Sequence, residues 1–169
     1  QRKEIKDIIA YLRLVINHND EEALKRIINY PARGIGKTTM DKVGILSIQE
    51  DKSYWEIIFN ANYYSDLKSA IPKFRDFINM MQSFVTLNDS KNAYDMAMHV
   101  SRTTNLLKSL NEDKTIEGIS KYENVVELLN GIKEFVEDDT NESEKNLGSY
   151  LQDIALLTDS DKNIDDVDT

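Results

Sequence analysis

Hydrophobic residues recur along this chain at a spacing of three and four, the period of amphipathic helices rather than strands. Residues 2–16 place Ile5, Ile8, Ile9, Leu12 and Val15 or Ile16 on one face. Asn17-His18-Asn19-Asp20 stops that helix and supplies a cap for the next, over 21–29, where Leu24, Ile27 and Ile28 point inward and Lys25 and Arg26 outward. Tyr30-Pro31-Ala32-Arg33-Gly34-Ile35-Gly36 then breaks the helical pattern, because proline lacks a donor and glycine admits positive φ. A third helix starts at Lys37 or Thr38 and runs through Met40, Val43, Ile45, Leu46 and Ile48. Five more are expected: 53–61 with Ser53 as cap, 69–86 with Pro72 in its first turn, one capped by Ser90 and running through Leu110, 120–136, and 146–158. Residues 137–145 read as an acidic loop and 159–169 as an acidic linker. The expected fold is all-α, an irregular domain of about eight helices with no strand and no solenoid repeat. Met80, Met81, Phe77 and Phe84 are at helical spacing and read as core.

Composition narrows the chemistry. The 169 residues suit one domain of ordinary size. Six glycines and two prolines are too few for a β-sandwich or barrel. Cysteine is absent, which excludes disulfides, zinc-thiolate sites and cysteine nucleophiles, and two histidines cannot form a three-histidine metal site. No apolar run approaches the ~18 residues of a membrane span. The N-terminus opens directly into an amphipathic helix rather than a signal peptide, and a first residue other than Met leads us to expect a piece of a longer protein. The formal charge of −9 is unevenly spread. Residues 24–42 hold Lys25, Arg26, Arg33, Lys37 and Lys42 against Asp41, whereas residues 134–169 hold twelve acids and two lysines. A basic island therefore interrupts an acidic molecule.

The segment Arg33-Gly34-Ile35-Gly36-Lys37-Thr38-Thr39 lies in that island. It superficially resembles a phosphate-binding P-loop, but Pro31 stands where the first glycine of G-x-x-x-x-G-K-[ST] belongs, and the preceding segment reads as helix. Nucleotide binding here is rejected. A Gly-Ile-Gly turn between helices does suit a different partner. Its backbone N–H groups and the following helix dipole favour a phosphate oxygen, glycine removes the Cβ that would block a nucleic-acid backbone, and Ile35 packs inward. Contacts of this kind position a protein without reading sequence. The plainer reading is a tight helix–helix turn. Asp159-Ser160-Asp161-Lys162-Asn163 begins like an EF-hand loop, but Ile164 occupies the glycine position. His18 and His99 are isolated, the acidic pairs lie in solvated runs, and no serine sits in a nucleophile elbow. The two glycosylation sequons, at Asn88 and Asn141, come with no sign of secretion. The residues alone give no active site.

The order of several motifs goes further. Arg2-Lys3-Glu4-Ile5-Lys6-Asp7, Ala10-Tyr11-Leu12-Arg13-Leu14, Asn17 and Asp20, followed by Arg26-Ile27-Ile28-Asn29-Tyr30-Pro31-Ala32-Arg33-Gly34-Ile35-Gly36 and Thr39, resemble a signature of UvrD/Rep/PcrA-type superfamily 1A DNA helicases. Glu123-Asn124-Val125-Val126-Glu127-Leu128 resembles a later element of that family, with Lys121 where arginine is usual. Leu147 to Leu157 resembles the helix before its next motif. The resemblance covers nearly the whole chain.

It implies that residues 17–158 form the helical subdomain 2B, that residues 1–16 lead in from subdomain 2A, and that 159–169 return to it. In the family, 2B contacts duplex DNA through helix-hairpin-helix-like elements including the Gly-Ile-Gly turn, and it swivels to regulate unwinding. The DNA-binding residues implied are Arg33, Gly34, Ile35, Gly36, Lys37, Thr38 and Thr39. The parent would be a 3′–5′ helicase using ATP and magnesium in the bacterial cytoplasm, associated with the nucleoid. This segment would carry no catalytic residue and no cofactor. Its partners would be double-stranded DNA at a single-strand/duplex junction, the other helicase domains in cis, and a repair or transcription protein, with no membrane. The alternative is a protein-interaction or autoinhibitory module acting through the acidic surface. An independent helical enzyme lacks a nucleophile–base pair. If residues 2–16 have lost their neighbours, their inner face is expected to be bare and to favour dimerisation.

Overall fold

A computed structural model describes residues 2–167, with side chains for 2–157. Among these residues there are nine α-helices and no strand. They are α1 (Lys3–Ile16), α2 (Glu21–Ile27), α3 (Lys37–Glu50), α4 (Tyr54–Phe59), α5 (Ile71–Asn88), α6 (Ala93–Thr103), α7 (Leu106–Glu112), α8 (Ile116–Glu137) and α9 (Leu147–Val167), with two 3₁₀ segments, Ala61–Tyr63 and Ser65–Ala70, before α5. No described helix is long and apolar enough to cross a membrane.

The caps explain most boundaries. Asp20 accepts from the Ala23 N–H at the start of α2, and Ser53 from the Glu56 N–H at the start of α4. Three expected boundaries are corrected. The helix expected from Ser90 to Leu110 is two helices, capped by Asn92 rather than Ser90, because Asn105 adopts a left-handed φ of 62° that ends one and starts the other. Asparagine is among the few residues that take this conformation readily. Helix α8 starts at Ile116, four residues before its expected start, because the Thr115 hydroxyl accepts from the Gly118 N–H. Helix α9 continues to Val167 rather than ending at 158. The side chains of the EF-hand-like stretch at 159–163 lie outside the described residues.

Helix α1 is the hub. It packs against α2, α5, α6, α8 and α9, and Ile8, Tyr11, Leu12 and Leu14 are fully buried among Phe74, Phe77, Phe84, Met96 and Ile132 of the same core. The expectation of a bare inner face is corrected: helices far along the chain cover it. Helices α6, α7, α8 and α9 build one side of the core, and α3, α4 and the 3₁₀ segment before α5 build the other. The acidic loop after α8 is tied down. Asp138 accepts from the Thr140 N–H and hydroxyl, which holds its carboxyl below the usual carboxylate range, and the Lys145 ammonium donates to the carbonyls of Asp138 and Asn141.

Candidate nucleic-acid interface

Two groups of motif residues separate in space. The first makes a polar frame inside the fold. The Asn124 side chain donates to Glu4 Oε1 at 2.8 Å across 120 residues, joining α8 to α1. Burial pushes the Glu4 carboxyl up, but the Asn124 hydrogen bond, a hydrogen bond from its own backbone and the charges of Lys121 and Arg2 together outweigh it and hold the pKa below the usual value. Arg26 Nε pairs with Asp7 Oδ1 at 2.7 Å, joining α2 to α1, and the Asp7 side chain is only 5% exposed.

The second group is the connection from α2 to α3, where Tyr30–Pro31 is a cis peptide. Arg33 does not point to solvent. Its Nη1 donates to the carbonyls of Ile27 (2.7 Å), Ile28 (3.1 Å) and Tyr30 (3.3 Å), closing off the C-terminal end of α2, where a positive charge is favoured. Its Nη2 donates to the Tyr11 hydroxyl, which in turn donates to the Tyr30 carbonyl. The guanidinium also lies over the rings of Tyr11 (5.7 Å) and Phe77 (5.3 Å). Burial raises the Tyr11 pKa, and the Arg33 charge offsets only part of that.

Asn29 organises the same connection. Its side-chain oxygen accepts from the N–H of Arg33 (2.8 Å) and of Ile35 (3.1 Å). The Ile35 side chain is buried, so neither its amide nor its side chain is free for a partner. Gly34 is exposed with φ 77°, a conformation that disfavours any other residue. Gly36 is exposed and serves as N-cap of α3, with no side chain capping that helix. Lys37 and Thr38 are exposed and Thr39 half-buried in its first turn. The connection therefore presents Gly34, Gly36, Lys37 and Thr38 outward, with Thr39 at the margin, and holds Arg33 and Ile35 inward.

The basic island contracts when seen in three dimensions. Lys25 pairs with Glu21 at 3.1 Å, Arg26 with Asp7, and Arg33 turns inside. Lys37 and Lys42 remain without an ion-pair partner among the described residues. A third cation arrives from elsewhere: Lys73, in the first turn of α5, donates from Nζ to the Gly34 carbonyl at 2.9 Å. The sequence reading missed Lys73, Asn29 and Tyr11 as parts of this site. Asn29 carried a local signal, an Asx residue just before a glycine turn, whereas Lys73 lies 39 residues from Gly34 and carried none.

An open groove of about 610 Å³ lies on another face, lined by Leu14, Trp55, Phe59, Met81 and Val85, with His18 stacked on Trp55 at 5.2 Å. His99 meets the Phe84 ring edge-on, so both histidines make ring contacts. Among the described residues no group of three or more His, Asp or Glu is placed to hold a metal ion.

Residues 1–169 match the UvrD-like helicase C-terminal domain. The chain is 30% identical over 168 residues to the ATP-dependent DNA helicase PcrA of Staphylococcus aureus (strain Mu50 / ATCC 700699), an alignment covering 99% of this chain and 22% of that protein. It is 31% identical over 161 residues to the ATP-dependent DNA helicase PcrA of Bacillus subtilis (strain 168), covering 95% of this chain and 21% of that one. The chain thus spans about a fifth of the length of the curated relatives it matches. The signature at the N-terminus, its partner element around Asn124 and a family match along all 169 residues agree: the chain belongs to the UvrD-like helicase C-terminal domain family.

Proposed function

We propose that this chain is the duplex-contacting 2B module of an ATP-dependent 3′–5′ DNA helicase, and that it holds the phosphate backbone at the start of α3 without reading sequence. In this reading residues 1–16 lead in from subdomain 2A, 17–158 are 2B, and 159–169 return to 2A. The helix-hairpin-helix-like turn at Gly34-Ile35-Gly36 is the contact element. ATP and magnesium act on parts of the parent that this chain does not contain, and the remaining helicase domains are its partners in cis.

One observation carries the reading: the connection leaves the N-terminus of α3 uncapped by any side chain and surrounds it with exposed glycine and lysine. First-turn N–H groups and the helix dipole attract an anion there, and phosphate is the anion that a duplex repeats along its length. Lys37 adds charge beside those amides. Arg33 and Ile35 serve the site by fixing its shape.

Gly36→Ala is the cleanest test. A Cβ at Gly36 would meet nothing within 4 Å, and its φ of −85° is ordinary for alanine. The change costs the helix cap about 1 kcal/mol, and it places a methyl group where the DNA backbone must approach. In an amide NMR titration with a short duplex at low salt, the wild-type chain should show shifts at Gly34, Gly36, Lys37 and Thr38 that shrink as salt rises. Gly36→Ala should remove them while lowering the melting temperature by only a few degrees. A folded wild-type spectrum with no shift at these residues would defeat the reading.

The groove beside Trp55 favours the second reading, a protein-interaction module. Phe59 and Val85 on its rim are 53% and 44% exposed. In that case Phe59→Asp would weaken a protein complex of the parent helicase and leave the duplex titration intact.

A further inference from the structure

We propose that Lys73 is a phosphate-contacting residue of the duplex site, an arm supplied by α5 to a connection formed 39 residues earlier. The inference rests on the duplex reading above and adds to it a residue that neither the motif nor the basic island contains.

Lys73 Nζ donates to the Gly34 carbonyl at 2.9 Å, and both residues are exposed. That bond uses one of the three ammonium donors and neutralises nothing, because a carbonyl is a neutral acceptor. No carboxylate lies within ion-pair distance of Lys73 among the described residues. A full positive charge with two donors to spare is therefore held at the edge of the exposed glycine. The helix that carries it is firmly placed. Pro72 fixes the first turn of α5, buried Phe74 and Phe77 anchor the helix, and the 3₁₀ segment leading into α5 packs against α3.

Gly34 also leaves room for this lysine. A Cβ at position 34 would stand 3.0 Å from Lys73 Nζ and 3.1 Å from its Cε, so the ammonium would have to shift by a few tenths of an ångström, besides the strain that φ 77° puts on any side chain there. The glycine thus admits two neighbours, the DNA backbone from outside and the Lys73 stem from the side. A charged donor tethers the Gly34 carbonyl more firmly than a neutral one, but the tether leaves the charge itself uncompensated, and an uncompensated charge beside the exposed glycine suits an anion.

The test separates tethering from charge. Binding of the 169-residue chain to a dye-labelled short duplex is followed by anisotropy over a series of salt concentrations, for wild type, Lys73→Gln and Lys73→Arg. Matching melting curves establish that each variant is folded. The expected result is that Lys73→Gln binds several-fold more weakly and flattens the plot of log affinity against log salt by about 0.9, the slope of one phosphate contact, while Lys73→Arg keeps the wild-type slope. A Lys73→Gln plot parallel to wild type, displaced or not, would overturn the inference and leave the duplex reading standing. Absence of salt-dependent binding by wild type would overturn both.

Discussion

Helices α1 and α3 are each fourteen residues long, but nine residues of α1 are buried and only Val43 of α3 is. Helix α1 touches five other helices and contributes two buried carboxylates, Glu4 and Asp7, each with a partner from another helix. Helix α3 leans on α4 and the neighbouring 3₁₀ segment, and it exposes Ile45 and Ile48, the latter 84% exposed. Equal length conceals different work, but the patterns differ: α1 gathers its apolar residues on one face and α3 scatters them, so one helix is built to be covered and the other to be presented. The connection between Ile27 and Lys37 joins these two regimes. It has an inner side made of Arg33 and Ile35 and an outer side made of Gly34, Gly36 and Lys37, with the exposed Asn29 bracing the turn through its side-chain oxygen.

The comparison can be broken most severely at the hub. Leu12 is fully buried, and Leu12→Ala should cost about 2–5 kcal/mol, measured as a lowered urea midpoint. A loss no larger than that of a surface change would mean that α1 is not the centre of the core. Arg33 comes next. Arg33→Met keeps much of the packing but removes the donors to three carbonyls and to Tyr11, so stability should fall by about 2 kcal/mol. Because its guanidinium faces inward, duplex affinity should drop with no change in salt slope. A slope reduced by about one would return Arg33 to the DNA surface, as the sequence alone implied.

A pH titration sharpens the contrast further. Burial raises the pKa of Tyr11 and Tyr30, and that of Tyr150 to about 12. Raised folded values mean that stability is intact below the unfolded value near 10 and is lost as pH rises toward 12. For Tyr150 the loss should be on the order of 2 kcal/mol, checked by urea unfolding at pH 9 and pH 11.5. Tyr150→Phe should remove part of it. Glu4 acts at the other end: its lowered value contributes stability that is present above the ordinary carboxylate range and lost as pH falls through it. The smallest effect belongs to α3. Ile48→Ala should change stability by less than about 0.5 kcal/mol, since almost none of its surface is withdrawn from water.

The all-α fold was legible because helical periodicity and polar caps are local. Asp20 and Ser53 announced α2 and α4 correctly. What escaped were boundaries decided by single residues and contacts decided by topology. Asn105 divided one expected helix into two with a left-handed residue inside an otherwise continuous apolar pattern. The 3₁₀ segments at 61–63 and 65–70 are only three and six residues long, too short to declare a period of their own. The outward glycines of the candidate site were visible in the sequence, but the direction of Arg33 was not. A positive residue beside Gly-Ile-Gly reads as a phosphate ligand until its carbonyl and aromatic neighbours are known. Charge counting likewise could not see that Lys25 and Arg26 face acids of this same chain.

The inward grip of Arg33 has a mechanical consequence. The guanidinium is fastened at once to the end of α2, to Tyr11 in the central helix and to Phe77 in α5. One side chain thereby rivets the mouth of the turn to three separate helices, so the turn cannot be reshaped at Arg33 without disturbing α1, α2 and α5 together.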